Sequence, residues 1–172
     1  MKQFGKKFLA VIVCLTMIVS VFAQGGQVYA AKADNDTVFP QEYQIYPIPH
    51  EMTYQDGGFS IDSKVNVVYE SKIDDVTKAR LDDVLAIQDA TASVTDAKKD
   101  GVTNILVGVY GSNEYVDAYV KANYSEIDTA VFNEYSGHYV ISADDEIIVL
   151  GADTDAAFYG ITSLKHIFSQ IE

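Results

Sequence analysis

The chain has 172 residues, with 25 acidic against 12 basic side chains, a formal charge of −13 at neutral pH and a single cysteine, Cys14. Such a surface repels nucleic acid phosphates and anionic lipid headgroups, so the composition argues against both as partners. One cysteine cannot form a disulfide within the chain, so a packed core must stabilise a fold of about one ordinary domain.

The first 30 residues have the pattern of a secretory signal peptide. Three lysines lie among the first seven residues, and residues 8–23 form an uninterrupted apolar run. The run is shorter than the roughly 20 residues that span a bilayer, so a signal is favoured over a membrane anchor. We expect cleavage after Ala30 or Ala33, loss of Cys14 with the signal, and a secreted, extracellular product.

Residues 31–41 are polar and are predicted to form a leader, followed by one domain over residues 42–172. The start of that domain is predicted to be rich in strands. An Asp56-Gly57-Gly58 turn supplies the positive φ angles that a tight hairpin requires, and β-branched and aromatic residues follow it. The predicted strands are residues 43–46, 52–54, 59–61 and 65–69, the second and third forming the hairpin.

The middle of the chain is predicted to hold a helix, a buried strand and a second helix. A helix over residues 73–90 has carboxylates near its start, which favours the positive end of its dipole. Residues 104–110 are almost continuously apolar, as expected of a central strand covered on both faces. Ser112 is predicted to cap the next helix. The apolar positions of the first helix that fall close to one face, and so are predicted to be core positions, are Ile73, Val76, Leu81, Val84 and Leu85. The second helix carries Tyr115, Val116, Tyr119 and Val120 at helical spacing.

The last third is predicted to be a strand hairpin and a helix. Strands over residues 138–142 and 147–151 are joined by residues 143–146, and Asp153 or Thr154 caps the helix. The helix carries a regular core-facing stripe with Gly160 on the same face, where it would let the helix approach the sheet closely. The stripe comprises Ala157, Ile161, Leu164, Phe168 and Ile171. These elements predict an α/β fold, a mixed sheet with two to three helices packed on it.

Patterns that would carry metal chemistry are incomplete. His50-Glu51 begins like a zinc-protease helix, but the second histidine is replaced by Tyr54. A calcium loop starting at Asp34 would need Gly at position 39 and Glu at position 45, which are Phe39 and Ile45. Weak calcium binding by acidic loops stays open.

Other candidate sites are also weak. The Asp144-Asp145 pair is more typical of a solvated hairpin tip than of a catalytic pair. His50, His138 and His166 are scattered, and no Gly-x-Ser-x-Gly elbow is present. We therefore predict no catalytic, cofactor-binding or metal-binding residue and no cofactor. The many tyrosines and phenylalanines are expected mainly in the core, with an exposed sugar-stacking platform as the alternative.

Three segments resemble a known family. Residues 43–49 (YQIYPIP), residues 103–108 (TNILVG) and the closing helix over residues 150–167 (LGADTDAAFYGITSLKHI) are similar to segments of the domain that opens secreted bacterial β-N-acetylglucosaminidases of glycoside hydrolase family 84, often labelled hyaluronidases. The closing helix also resembles the end of domain 2 of family-20 hexosaminidases. The resemblance covers residues 42–172.

The resemblance implies an α/β domain that precedes a catalytic (β/α)₈ barrel, its intramolecular partner. In that family the barrel carries two adjacent aspartates that assist the 2-acetamido group of the substrate. Asp144-Asp145 precedes the closing helix and does not match them. We therefore expect a non-catalytic supporting domain of an enzyme acting on N-acetylglucosamine-containing glycans, on a chain that is a fragment. The alternatives are a stand-alone secreted module that binds host glycans and a metal- or protein-interaction domain using the acidic surface.

Overall fold

The computed structural model describes residues 10–14, 43–53, 60–134, 137–143 and 145–171, with only the backbone given for residues 10–14. Within these ranges, seven strands form one mixed sheet in the order β2-β1-β6-β7-β5-β3-β4, with three α-helices and one 3₁₀ helix, Thr129–Asn133. None of the helices in these ranges is long and apolar enough to cross a membrane. The elements are β1 Ala10–Cys14, β2 Glu51–Thr53, β3 Lys64–Tyr69, α1 Asp75–Ala86, β4 Thr91–Val94, β5 Asn104–Val109, α2 Tyr115–Asn123, β6 His138–Ala143, β7 Glu146–Gly151 and α3 Thr154–Phe168.

The centre of the sheet is parallel. β5 lies between β3 and β7 and runs parallel to both, with Leu106 opposite Val68 on one side and Ile148 on the other. All six residues of β5 are buried, which confirms the prediction of a central strand. β7 follows β6 in the chain and pairs with it antiparallel. The α/β fold class predicted from the sequence is therefore confirmed.

Helices cover both faces of the sheet because strand side chains alternate between them. Ile105 and Val107 of β5 belong to the cluster shared with α1 and α3. Leu106, between them, belongs to the cluster shared with α2 and the 3₁₀ helix. Burial of each such aliphatic side chain contributes about 1.5–3 kcal/mol, so these two layers account for most of the stabilisation.

Helix α1 is shorter than predicted, and one of its predicted core positions is wrong. Asp74 is the N-cap and accepts a hydrogen bond from the amide of Thr77 at 2.7 Å. The buried face runs through Thr77 and Leu81, four residues apart, whereas Val76 lies five residues before Leu81, on a different side of the helix, and is 68% exposed. The chain leaves the helix at Ala86 and forms β4, an edge strand that the sequence analysis did not predict.

Helix α3 matches its prediction closely. Asp153 accepts a hydrogen bond from the amide of Ala156 at 2.8 Å. The predicted stripe faces the sheet, buried through Phe168, with Ile171 partly buried at its end. A Cβ added to Gly160 would lie 2.6 Å from Cγ1 of Val149, so only glycine permits this approach of helix to sheet.

Two predictions, one at the start of the domain and one just before α2, are wrong. Residues 43–46 form no strand. The amide of Gln44 instead donates to Oε1 of Gln170 at 2.9 Å, which ties the segment to the end of α3. The helix cap is also different, since Glu114 and not Ser112 is the N-cap of α2. The backbone amides of Gln44 and Tyr46 donate to side chains at the end of α3 and not to a neighbouring strand, and the Ser112 hydroxyl accepts from the amide of Glu114, before the helix begins.

The hairpin predicted for residues 52–61 is only partly testable. Residues 54–59 lie outside the described residues, and residues 60–61 are not in a strand. β2 pairs instead with β1, which lies between β2 and β6. β1 belongs to the segment expected to be a signal peptide outside the fold. Its apolar, β-branched residues suit a strand as well as a signal, and its cleavage stays a prediction.

Candidate functional site

The topology of the sheet creates one crevice at which a ligand-binding site is expected. β3 is followed by α1 on one face of the sheet, and β5 is followed by α2 on the other. Open α/β sheets bind ligands outside the carboxyl ends of the strands, at the point where successive connections leave in opposite directions. In this chain that point lies between the ends of β3 and β5.

A glutamate of the chain itself fills this crevice. Glu70, directly after β3, is only 3% exposed. Its two carboxylate oxygens each accept a 2.7 Å hydrogen bond, one from the amide of Val109 and one from the amide of Asp117 in the first turn of α2. The N-terminus of a helix is where an anionic ligand would bind. Glu70 therefore occupies the position that such a ligand would take.

Gly108 makes room for this arrangement. A Cβ at this position would lie 2.9 Å from the carboxylate carbon of Glu70 and 2.7 Å from Cβ of Val116. Real side chains do not approach this closely, so glycine is required for β5 to pass beneath the carboxylate and the helix. Gly108 belongs to the TNILVG segment of the sequence, which gives that motif a packing explanation.

A second buried carboxylate shapes the loop between β5 and α2. Asp117 accepts hydrogen bonds from the amides of Gly111 at 3.0 Å and Asn113 at 2.9 Å, and from Nζ of Lys121 at 2.7 Å. Gly111 and Asn113 both have positive φ, at 76° and 61°. Burial alone raises the pKa of Asp117, but the bonds from Lys121 and the two amides outweigh it and leave the pKa lowered. Asp117 is thus held ionised as a clamp on the loop.

Glu114 joins the same loop to the end of β3. Its carboxylate accepts from the amide of Ser71 at 2.8 Å and from the Ser71 hydroxyl at 2.5 Å. These bonds lower the pKa of Glu114. Together with Glu70 and Asp117, it forms what we call the carboxylate clamp. The oxygens of all three carboxylates accept hydrogen bonds from neighbouring donors of the same chain.

A shallow depression of about 430 Å³ opens beside the clamp, between α1 and the edge strand β4. Its polar lining residues are Tyr69, Glu70, Ser71, Lys78 and Asp82. Burial, and then the nearby Asp82 carboxylate, raises the pKa of Tyr69, so this phenol stays neutral. Lys78 lies 6.0 Å from the Tyr69 ring and pairs with Asp75 at 3.2 Å. The depression is thus lined by the aromatic ring of Tyr69 and by the ammonium of Lys78, whose charge is partly neutralised by Asp75.

A further polar cluster lies at the opposite, amino-terminal edge of the parallel strands. The buried carboxylate of Glu146 accepts from the hydroxyls of Tyr119, at 2.7 Å, and Tyr124, and from Nζ of Lys98 at 2.5 Å. Burial, and then Glu146, raises the pKa of Tyr119 to about 12. Three donors on one carboxylate fix the loop before β5 to the start of β7, which is a structural role.

The structure does not bring the candidate residues of the sequence analysis together. His50 is exposed in a bend, His138 is buried on β6 against α3, and His166 lies on the outer side of α3. Asp145 is in the hairpin turn and pairs with Lys98 at 3.2 Å, whereas Asp144 and residues 34–36 lie outside the described residues. Within the described ranges, no group of three or more His, Cys, Asp or Glu side chains is placed to hold a metal ion.

The buried carboxylates Glu70, Asp117 and Glu146 were not predicted from the sequence. The only sequence signal for Glu70 is an acidic residue directly after a strand that is otherwise apolar. Such residues are usually solvated, so the pattern does not separate a clamp from an ordinary loop carboxylate.

Comparison with known proteins places the chain among glycoside hydrolase domains. The family model described as "Glycosyl hydrolase family 20, domain 2" matches residues 42–172. The solved structure described as "Structure of CpGH84D", a family-84 hexosaminidase, is similar to this chain with a TM-score of 0.74 and 40% sequence identity. The similarity covers 76% of this chain and 22% of that one, so this chain spans about a fifth of CpGH84D. No curated protein matches.

Proposed function

Because this chain belongs to the family of glycosyl hydrolase family 20 domain 2 modules, we propose that it is the non-catalytic supporting domain of a secreted β-N-acetylhexosaminidase. The parent enzyme acts on glycans that contain N-acetylglucosamine. Its catalytic centre lies in a separate (β/α)₈ barrel of the same polypeptide, and this domain stabilises that barrel. The similarity to CpGH84D, of which this chain spans about a fifth, supports a parent of family-84 type.

The observation that carries the non-catalytic role is the carboxylate clamp. Hydrolysis of a glycoside requires carboxyl groups that face the substrate and can exchange protons with it. At the crevice where a ligand would be expected, the oxygens of Glu70, Asp117 and Glu114 bind backbone amides and side chains of this chain. The clamp therefore stiffens the domain and offers no acid, base or nucleophile to a sugar.

Secretion is supported by the first 30 residues and by the surface charge. Removal of a signal peptide that carries three lysines and no acidic residue would make the product more acidic still. A strongly charged surface favours solubility outside the cell and disfavours contact with nucleic acids. We propose extracellular glycans as the setting in which the parent enzyme works.

The direct test is hydrolysis of an aryl N-acetyl-β-glucosaminide by the purified chain, with CpGH84D as the positive control. We expect release of the aryl group at the rate of the buffer blank. Turnover that co-purifies with the folded chain and disappears in a Glu70→Gln variant would contradict the proposal, because it would assign chemistry to the clamp.

Glycan binding is a second candidate, favoured by one feature of α2. Tyr115 is 37% exposed and lies nearly parallel to Tyr119, with ring centroids 6.2 Å apart and 19° between the planes. An exposed aromatic face of this kind can stack on a sugar ring. Calorimetry with a chito-oligosaccharide distinguishes the candidates: heat at millimolar sugar that is lost in Tyr115→Ala favours binding, and no heat removes it.

A further inference from the structure

The depression between α1 and the edge strand β4 lies where a fold of this kind receives a ligand. It opens at the carboxyl end of β3, beside the crevice that Glu70 fills, and has a volume of about 430 Å³. Small-molecule sites in proteins have volumes of roughly 300–1,000 Å³. Open α/β sheets bind ligands along this edge of their strands. The depression is therefore suitably placed, and large enough, to hold a small molecule.

The sheet supplies an apolar wall. Val94 of β4 lies opposite Val67 of β3, and Tyr69 follows two residues later on β3. Side chains two residues apart in a strand point to the same face, so Val94 and Tyr69 both point toward the α1 side of the sheet. Tyr69 packs on the core cluster and is partly buried, whereas Val94 is 64% exposed. An aromatic ring beside an exposed aliphatic side chain suits the apolar face of a ring-shaped ligand.

Helix α1 supplies a polar wall. Lys78 and Asp82 are four residues apart and so lie on the same side of the helix. Nζ of Lys78 is 6.0 Å from the centroid of the Tyr69 ring. Burial, and then the nearby carboxylate of Asp82, raises the pKa of Tyr69, so the phenol keeps its proton. A phenol, an ammonium and a carboxylate therefore surround the same space.

These three groups retain hydrogen-bonding capacity, in contrast to the carboxylate clamp. Among the residues that the structure describes, neither the Tyr69 hydroxyl nor the Asp82 carboxylate forms a hydrogen bond. Lys78 donates one hydrogen bond, to Asp75 at 3.2 Å, out of the three that an ammonium can donate. Glu70 also lines the depression, but both of its oxygens accept from backbone amides. Two donors and one acceptor are thus available to a ligand.

The charges around the depression disfavour an ionic ligand. Lys78 repels an amine, whereas Asp75, Asp82 and the formal charge of −13 repel an anion. A sugar ring is neutral, and each of its hydroxyl groups both donates and accepts hydrogen bonds. Neighbouring hydroxyl groups of one sugar can therefore donate to Asp82 and accept from Tyr69 and Lys78.

We propose that the depression binds a neutral sugar residue of a glycan. The sugar ring lies on the side chains of Tyr69 and Val94. Its hydroxyl groups bond to the Tyr69 hydroxyl, Lys78 and Asp82. This binding goes beyond the supporting function proposed above and uses none of the aromatic residues of α2. Only the choice of an N-acetylglucosamine disaccharide as the first probe rests on that function.

The test measures binding of N,N′-diacetylchitobiose, and separately of cellobiose, to the full chain by ligand-observed NMR titration. We expect a dissociation constant on the order of 1 mM, unchanged by ionic strength because the ligand is neutral. Tyr69→Phe and Asp82→Ala should each weaken binding by about fivefold or more, since each removes one hydrogen bond. Tyr69→Phe keeps the packed ring and Asp82 is exposed, so both variants should remain folded, which circular dichroism checks.

Matched controls lie on α1. Asp83→Ala is the control for Asp82→Ala, because Asp83 is exposed and does not line the depression. Val76→Ser is the control for Val94→Ser, since the two valines are 68% and 64% exposed. Both controls should bind within about twofold of wild type, whereas Val94→Ser should weaken binding.

Several results would overturn the site. These are equal weakening by Asp82→Ala and Asp83→Ala, affinity that changes with salt, or loss of binding in Tyr115→Ala with none in Tyr69→Phe. Absence of binding of both disaccharides at about 20 mM would also overturn it. Binding of cellobiose alone, lost in Tyr69→Phe, would support the site and contradict an N-acetylglucosamine glycan. The hydrolysis assay decides the non-catalytic role independently.

Discussion

Replacement of Glu70 by alanine should destabilise the domain more than loss of any exposed carboxylate. The substitution leaves the amides of Val109 and Asp117 buried without their acceptor. Each unsatisfied buried amide costs about 1–3 kcal/mol, and loss of a carboxylate at a helix N-terminus costs about 0.3–1 kcal/mol more. We expect a total loss of roughly 2–7 kcal/mol, a large share of the 5–15 kcal/mol that typically stabilises a domain.

Urea unfolding of the full chain, followed by circular dichroism, measures this loss. Glu126→Ala is the matched control, because Glu126 is exposed, and it should change the free energy of unfolding by less than about 0.5 kcal/mol. Glu70→Gln keeps the shape and one acceptor oxygen, so its loss should lie between the two. The reasoning would be refuted if Glu70→Ala unfolded at the same urea concentration as the control.

Three further substitutions test other parts of the fold. Gly160→Ala should cost about 1–3 kcal/mol by thermal melting despite the higher helix propensity of alanine, because its Cβ meets Val149 at 2.6 Å. Tyr124→Phe should cost about 1–2 kcal/mol by urea unfolding, since it removes a donor to buried Glu146, whereas Tyr159→Phe on the surface should be neutral. Asp117 has a lowered pKa, so its stabilisation is present above the unfolded pKa of about 4 and is lost as pH falls through the folded value. Asp117→Asn should therefore destabilise the chain strongly at pH 7 and much less near pH 2, and an equal effect at both pH values would contradict the clamp.

The regular parts of the fold were predictable because their side-chain patterns are set by burial. The apolar run of β5 requires cover on both faces, and the stripe on α3 has only one way to face a sheet. Gly160 was predicted on the same grounds, since a small residue in an apolar stripe indicates close approach. These features depend on residues near one another in sequence.

Features that depend on contacts between distant segments were missed or misplaced. β4 is a four-residue edge strand with little apolar burial, so its pattern does not distinguish it from a loop. Val76 is spaced like a core residue from Ile73, but Ile73 lies before α1, and Val76 is nine residues before the buried Leu85, on the opposite side of the helix. The role of Glu70 exists only because β5 and the start of α2 lie beside the end of β3, a neighbourhood that the local sequence does not reveal.

The measurement that tests the central claim most directly is the thermal stability of the remainder of CpGH84D, the part outside the region that this chain matches, alone and mixed with this chain. If the domain supports a catalytic partner, the melting temperature of that remainder should rise as the chain is added and reach a plateau at stoichiometric binding. Folded chain that leaves both the melting temperature and the hydrolytic rate of the remainder unchanged would contradict the account.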